Sequence, residues 1–98
     1  MNLDAFLQHV ALNLRKARWA GGLTQEEVAE RGISYKHLQE IEGGRRQPTL
    51  QTLLLLAEVY GVTVADLVAC PGEAADRPLL ADLDVTPPKR GRKPRRVP

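Results

Sequence analysis

Leu3, Phe6, Leu7, Val10, Leu14 and Ala17 recur at steps of three and four residues. This spacing puts them on one face of an α-helix and predicts a first helix from about Leu3 to Ala20. Gly21-Gly22 ends it. Thr24 stands three residues before Glu27, the reciprocal arrangement of a capping box, so a second helix opens there with Val28 and Ala29 inward. Gly32 breaks that helix. Ser34 is the N-cap of a third, which runs to about Glu42 with Leu38 and Ile41 on its inner face. Gly43-Gly44 terminates it, and Pro48 forbids continuation.

Thr49 caps a fourth helix through about Tyr60, with Leu50, Leu53, Leu54, Leu56 and Ala57 as core candidates, and Gly61 ends it. Thr63 caps a short fifth helix around Val64 to Ala69. No strand alternation and no internal repeat is visible. The expected fold is all-α: a compact five-helix domain over residues 1–70, small but within the range that folds alone. The character changes at Pro71, since five of the seven prolines lie at or after Pro78. Residues 71–86 read as a flexible linker in which Leu79 to Leu83 form at most one marginal amphipathic turn, and residues 87–98 as a basic tail. The tail cannot bury enough apolar surface to offset its chain entropy, so disorder is expected there in isolation.

Charge sharpens this division. The chain of 98 residues carries a formal net charge of +2. Residues 1–70 hold seven Lys/Arg against eight Asp/Glu, whereas residues 71–98 hold seven against four. The result is a nearly neutral domain with a nucleic-acid-seeking arm. Neither an apolar run of membrane-spanning length nor a signal-peptide pattern is present, so a soluble, cytoplasmic, nucleoid-associated protein is expected. Cys70 is the single cysteine, and it reads as a small apolar residue. One thiol and two separated histidines, His9 and His37, make no metal site, and no cofactor is expected. Without a nucleophile–base pair or a phosphate-cradling loop, the chain does not read as an enzyme.

Leu14-Arg15, Arg18, Leu23 to Glu27, Ala29-Glu30, Gly32 to Ser34, Ile41-Glu42, Gly44, Pro48 to Leu50 and Gly61-Val62 together resemble the Cro/C1-type (XRE-like) helix-turn-helix family. The resemblance covers about Val10 to Leu67 and implies a lambda-repressor-like DNA-binding domain. It places Thr24 and Gln25 against a phosphate and the third helix in the major groove, as a sequence-reading element. Tyr35, Lys36 and Glu40 then face the groove, flanked by His37 and Gln39. Lys36 suits guanine acceptors, Gln39 adenine and Glu40 the cytosine amino group. Arg45 and Arg46 contact the backbone and set register. Arg18 and Glu42 match the family's charge pair between the first and third helices. One spacing departs from the family pattern: Gln25 to Gly32 is seven residues where eight is usual. One residue is ~100° of helix rotation. Either the second helix ends early and the turn absorbs the change, or the third helix is re-aimed; the match from Ser34 onward favours the first.

The tail Lys89-Arg90-Gly91-Arg92-Lys93-Pro94 is similar to an AT-hook, with Arg95 and Arg96 extending its charge. In that motif Arg-Gly-Arg lies in a narrow A·T minor groove, whose enhanced negative potential attracts arginine. The alternative is a polycationic arm that binds phosphates anywhere. In the fourth helix Leu53 to Leu56 cannot all share one face. Leu55, Val59 and Val62 form a stripe read as a homodimer interface, matching a palindromic site; the alternative is a thick core wall covered by the first helix or by Leu79-Leu80. The function expected is a sequence-specific transcriptional regulator, a repressor by default, binding double-stranded DNA with A·T-rich flanks. Activation is the other sign, as in the restriction–modification controller proteins that the domain also resembles. The alternative is an antitoxin or adaptor with a protein partner and secondary DNA autoregulation.

Overall fold

A computed structural model describes residues 1–70 and 79–88. The chain forms α1 (Leu3–Ala20), α2 (Gln25–Ala29), α3 (Tyr35–Glu42), α4 (Leu50–Tyr60), α5 (Val64–Val68) and a 3-10 turn (Leu80–Asp82). No strand occurs among the described residues. Every α-helix starts at a polar side chain that accepts a backbone N–H three residues on: Asn2, Thr24, Ser34, Thr49 and Thr63. At Thr24 and Thr63 the bond is reciprocal, since Glu27 and Asp66 accept from the cap residue's own N–H.

α1 is the central element, and α3, α5 and the 3-10 turn all pack on it. Its Val10, Leu14 and Ala17 meet Val28, Leu38, Ile41, Leu53, Leu56, Ala57 and Leu67 in one core. Asn13 lies among these apolar residues, fully buried, and its amide nitrogen donates to the carbonyls of Leu67 and Ala69, each at 2.9 Å. Those carbonyls close α5, a helix too short to satisfy its own C-terminal acceptors.

Several residues depart from the sequence reading. Leu3, Leu50 and Leu54 are exposed rather than core. The inner face of α4 is set by Leu53, Leu56 and Ala57, and Leu54 stands ~100° around the helix from Leu53. Leu50 and Leu54, four apart, line a different side. Residues 79–83 are not free linker: Leu80 packs against the core, and Lys16 Nζ donates to the Leu83 carbonyl at 2.7 Å. The AT-hook-like stretch Lys89 to Arg96 lies outside the described residues.

Candidate nucleic-acid interface

The α2–turn–α3 unit is held from beneath by polar groups. Arg18, on α1, donates through Nε to Glu42 Oε2 at 2.8 Å and through Nη2 to Glu42 Oε1 at 2.9 Å. Both side chains are buried. The third guanidinium nitrogen, Nη1, donates to the Leu23 carbonyl at 3.0 Å, just ahead of α2. Gln25 Nε2 donates to Glu42 Oε1 at 2.9 Å. One carboxylate on α3 therefore gathers donors from α1 and α2. Arg15 Nη1 donates to the Glu42 carbonyl, placing a cation at the C-terminal end of α3, where it complements the helix dipole. Arg15 is part of the family-like pattern, but this contact leaves no signal in the sequence, because its acceptor is a backbone carbonyl.

Between Gln25 and Gly32 the helix ends early. α2 stops at Ala29, and Arg31 and Gly32 donate back three residues, to Val28 and Ala29. Gly32 then takes φ +120°, a left-handed value that disfavours a side chain. Ile33 is buried directly after it, and Ser34 opens α3.

On α3, Leu38, Ile41 and Glu42 face inward. Tyr35, Lys36 and Gln39 are exposed, Glu40 is half-exposed and His37 is half-buried with its Nε2 hidden from solvent. The first four therefore share the outward surface, while His37 lies at its edge. α3 ends in a Schellman arrangement: Gly44 N–H donates to the Ile41 carbonyl at 3.1 Å and Arg45 N–H to the Glu40 carbonyl at 3.0 Å. Gly44 sits at φ +73°, and a Cβ there would collide with the Gln8 amide. The backbone is thus turned so that Arg45 and Arg46 come up beside the outward face of α3.

Arg46 Nη1 donates to Glu40 Oε1 at 2.9 Å across that surface. The hydrogen bond from Arg46 lowers the Glu40 carboxyl from its ordinary pKa, opposed by partial burial and aided by the charges of Arg46, Lys36 and Arg45. Arg45 is exposed, and its guanidinium lies over Gly43. Of the two residues expected at a phosphate, Gln25 has its amide engaged by Glu42, and the Thr24 hydroxyl is half-buried, accepting from Glu27 N–H. What both present outward is the start of α2.

On α4, Leu55 is half-buried, with Cδ2 3.8 Å from where a Gly32 Cβ would stand. Val62 also leans on the core, and Val59 is half-buried. The apolar side chains that face solvent most fully on this helix are Leu50 and Leu54, at 81% and 56% exposure.

The helix-turn-helix family HTH_3 matches residues 14–67. A protein of Sinorhizobium fredii named as an uncharacterised HTH-type transcriptional regulator, y4dJ, is 47% identical over 60 residues, spanning 60% of this chain and 78% of that protein. The HTH-type transcriptional regulator DdrOP3 of Deinococcus deserti is 43% identical over 56 residues, spanning 56% of this chain and 43% of that protein. Among solved structures, the restriction-modification controller protein C.AhdI from Aeromonas hydrophila superposes with a TM-score of 0.64 at 29% identity, covering 68% of this chain and 99% of C.AhdI.

Proposed function

The chain belongs to the HTH_3 helix-turn-helix family of DNA-binding transcriptional regulators, which are not enzymes, and from that membership we propose that it reads a specific operator with α3. The observation that carries the reading is the division of α3. Leu38, Ile41 and the pinned Glu42 fix the helix to the domain, which leaves Tyr35, Lys36, Gln39 and Glu40 facing outward. These four supply a phenol, a cation, a bidentate amide and an acceptor-only carboxylate, a set able to distinguish base edges in the major groove. The α2 N-terminus at Thr24 and Gln25, together with Arg45, contacts phosphates. The protein acts by occupancy, repressing where its site overlaps that of polymerase.

The domain lacks a strong positive field of its own, since residues 1–70 carry one more acid than base. Long-range attraction to DNA therefore falls to the tail, where six of the eight residues from Lys89 to Arg96 are cationic. Arg90-Gly91-Arg92 enters an A·T-rich minor groove beside the operator. Regulators of this family often dimerise, and here α4 and the residues just after it provide the surface: Leu50 and Leu54 are exposed, and Leu55, Val59 and Val62 are half-buried. The same exposed leucines support a second reading, in which a small protein partner is bound and DNA autoregulation is secondary.

Selection of bound DNA from a random pool, with the full chain and with residues 85–98 deleted, at two salt concentrations, tests these claims together. A symmetric motif, with an A·T-rich flank only for the full chain, is the expected result. Failure of the full chain to enrich any motif would sink the reading. Equal losses on A·T-rich and G·C-rich flanks after deletion would leave a phosphate arm in place of the hook. A monomer on DNA, or a stoichiometric co-purifying partner seated on Leu50 and Leu54, would overturn the dimer.

A further inference from the structure

Glu40 is the only acid on the outward surface of α3, because Glu42 points into the domain. An unpartnered carboxylate carried into a groove walled by phosphates is repelled by them and free to change rotamer. Glu40 is neither unpartnered nor free. Its carbonyl accepts Arg45 N–H at the helix end, and its carboxylate Oε1 accepts Arg46 Nη1 at 2.9 Å. Oε2 carries no hydrogen bond from the described residues. The Arg46 side chain is 56% exposed, and among the described residues its guanidinium has Glu40 as its hydrogen-bond partner. We propose that Arg46 is a positioning residue for Glu40, neutralising its carboxylate and aiming Oε2 at an exocyclic amine in the major groove, rather than an independent phosphate contact.

The inference rests on the reading that α3 enters the groove, and it adds a unit of recognition to it. A carboxylate only accepts hydrogen bonds, so the pair selects a base that presents an amino donor, cytosine N4 or adenine N6. It rejects guanine and thymine, whose major-groove edges present acceptors at that depth. Arg46 spends its charge on Glu40, and the pair together enters the phosphate field as a near-neutral unit.

A double-mutant cycle on the selected operator tests this, using Glu40→Ala, Arg46→Ala and both together, with binding measured against single-base variants and across salt. Each single variant should relax discrimination at the same base position by about five- to a hundredfold. In the Glu40→Ala background, Arg46→Ala should cause no further loss of discrimination at that base position, and the double variant, which has lost a near-neutral pair, should keep the wild-type slope of log affinity against log salt. Arg46→Lys should restore part of the discrimination. If Arg46→Ala instead weakens every sequence alike, lowers the salt slope by about one and does so equally without Glu40, it is a phosphate contact and the proposal is overturned. No change at any position overturns it as well. Melting temperatures of the variants separate these outcomes from unfolding, because an exposed pair moves stability little. If the wild-type chain selects no motif, the reading beneath the inference fails first, which a selective wild type with non-selective variants does not mimic.

Discussion

Arg18 grips Glu42 with two parallel hydrogen bonds, at 2.8 and 2.9 Å, across the interface between α1 and α3. The pair is buried, and each guanidinium nitrogen has a partner: Glu42 also accepts from Gln25 Nε2, and Arg18 Nη1 donates to the Leu23 carbonyl. A buried bidentate pair of this kind adds little over an apolar substitute, but removing one partner strands the other charge. Glu42→Ala should therefore destabilise the domain by ~3 kcal/mol, a fall in melting temperature of at least ~10 °C for a domain this small. It should also weaken DNA binding, because α3 loses the anchor that ties it to α1 and α2. Thermal denaturation with an affinity measurement below the new midpoint checks both; an unchanged midpoint would remove the pair from the account of stability.

Asn13 holds the middle of α1 to α5 by a different means. Its amide nitrogen satisfies two carbonyls, Leu67 and Ala69, inside an otherwise apolar layer. Asn13→Ala removes the hydrogen bond donated to each and should cost ~2 kcal/mol. Asn13→Asp is closer in shape yet should cost more, because it replaces the donor with a charged acceptor facing two oxygens. Chemical denaturation of the three proteins ranks them; Asp milder than Ala would contradict the role of the donated hydrogen bonds.

These two residues also mark how far the sequence could be read. The helix starts were legible because capping is local: Thr24 and Glu27, Ser34, Thr49 and Thr63 signal their helices within three residues. The inner face of α3 was legible too, from Leu38 and Ile41. Asn13, Arg15 and Lys16 were not, since their partners lie 54 and 56, 27, and 67 residues away and are backbone carbonyls, which leave no side-chain signature. Leu53 to Leu56 were ambiguous for the opposite reason. A run of four apolar residues carries no periodicity, so only packing decides that Leu53 and Leu56 turn inward and Leu54 outward. At the candidate interface, the outward set on α3 followed from the helix period, whereas the Glu40–Arg46 contact depends on the Schellman turn at Gly44, a conformation visible only in three dimensions.

Tyr60 gives the domain an alkaline limit. Burial raises its phenol pKa, the Glu42 carboxylate raises it further and Arg18 opposes them. The folded state therefore holds this proton more tightly than the unfolded chain does. The associated stability is full below the unfolded phenol value of about 10 and is lost as pH rises from there toward the higher folded value. In a Tyr35→Phe background, phenolate absorbance should appear together with loss of helical circular dichroism, not before it. Adding Tyr60→Phe should flatten the decline of stability above about pH 10. Ionisation of Tyr60 in a still-folded domain at ordinary phenol pH would refute its enclosure.

The segment after residue 78 makes the last distinction, between a strap and a tail. Leu80 lies on the core edge, and Leu83 receives Lys16 Nζ at 2.7 Å, so residues 79–83 cover α1. Half-burying a leucine contributes ~1 kcal/mol, and a hydrogen bond from an ammonium adds a similar amount. Ordering the strap costs chain entropy that offsets part of this gain. Deleting residues 79–98 should lower the melting temperature by ~5 °C, and Leu80→Ala in the full chain should reproduce much of that loss. Deleting only residues 89–98 spares the strap and should leave the midpoint unchanged while weakening DNA binding at moderate salt. If both deletions melt alike, the strap contributes nothing to the fold, and the domain ends where α5 does. If the shorter deletion alone is destabilising, the basic residues are structural, and their assignment to DNA loses its main support.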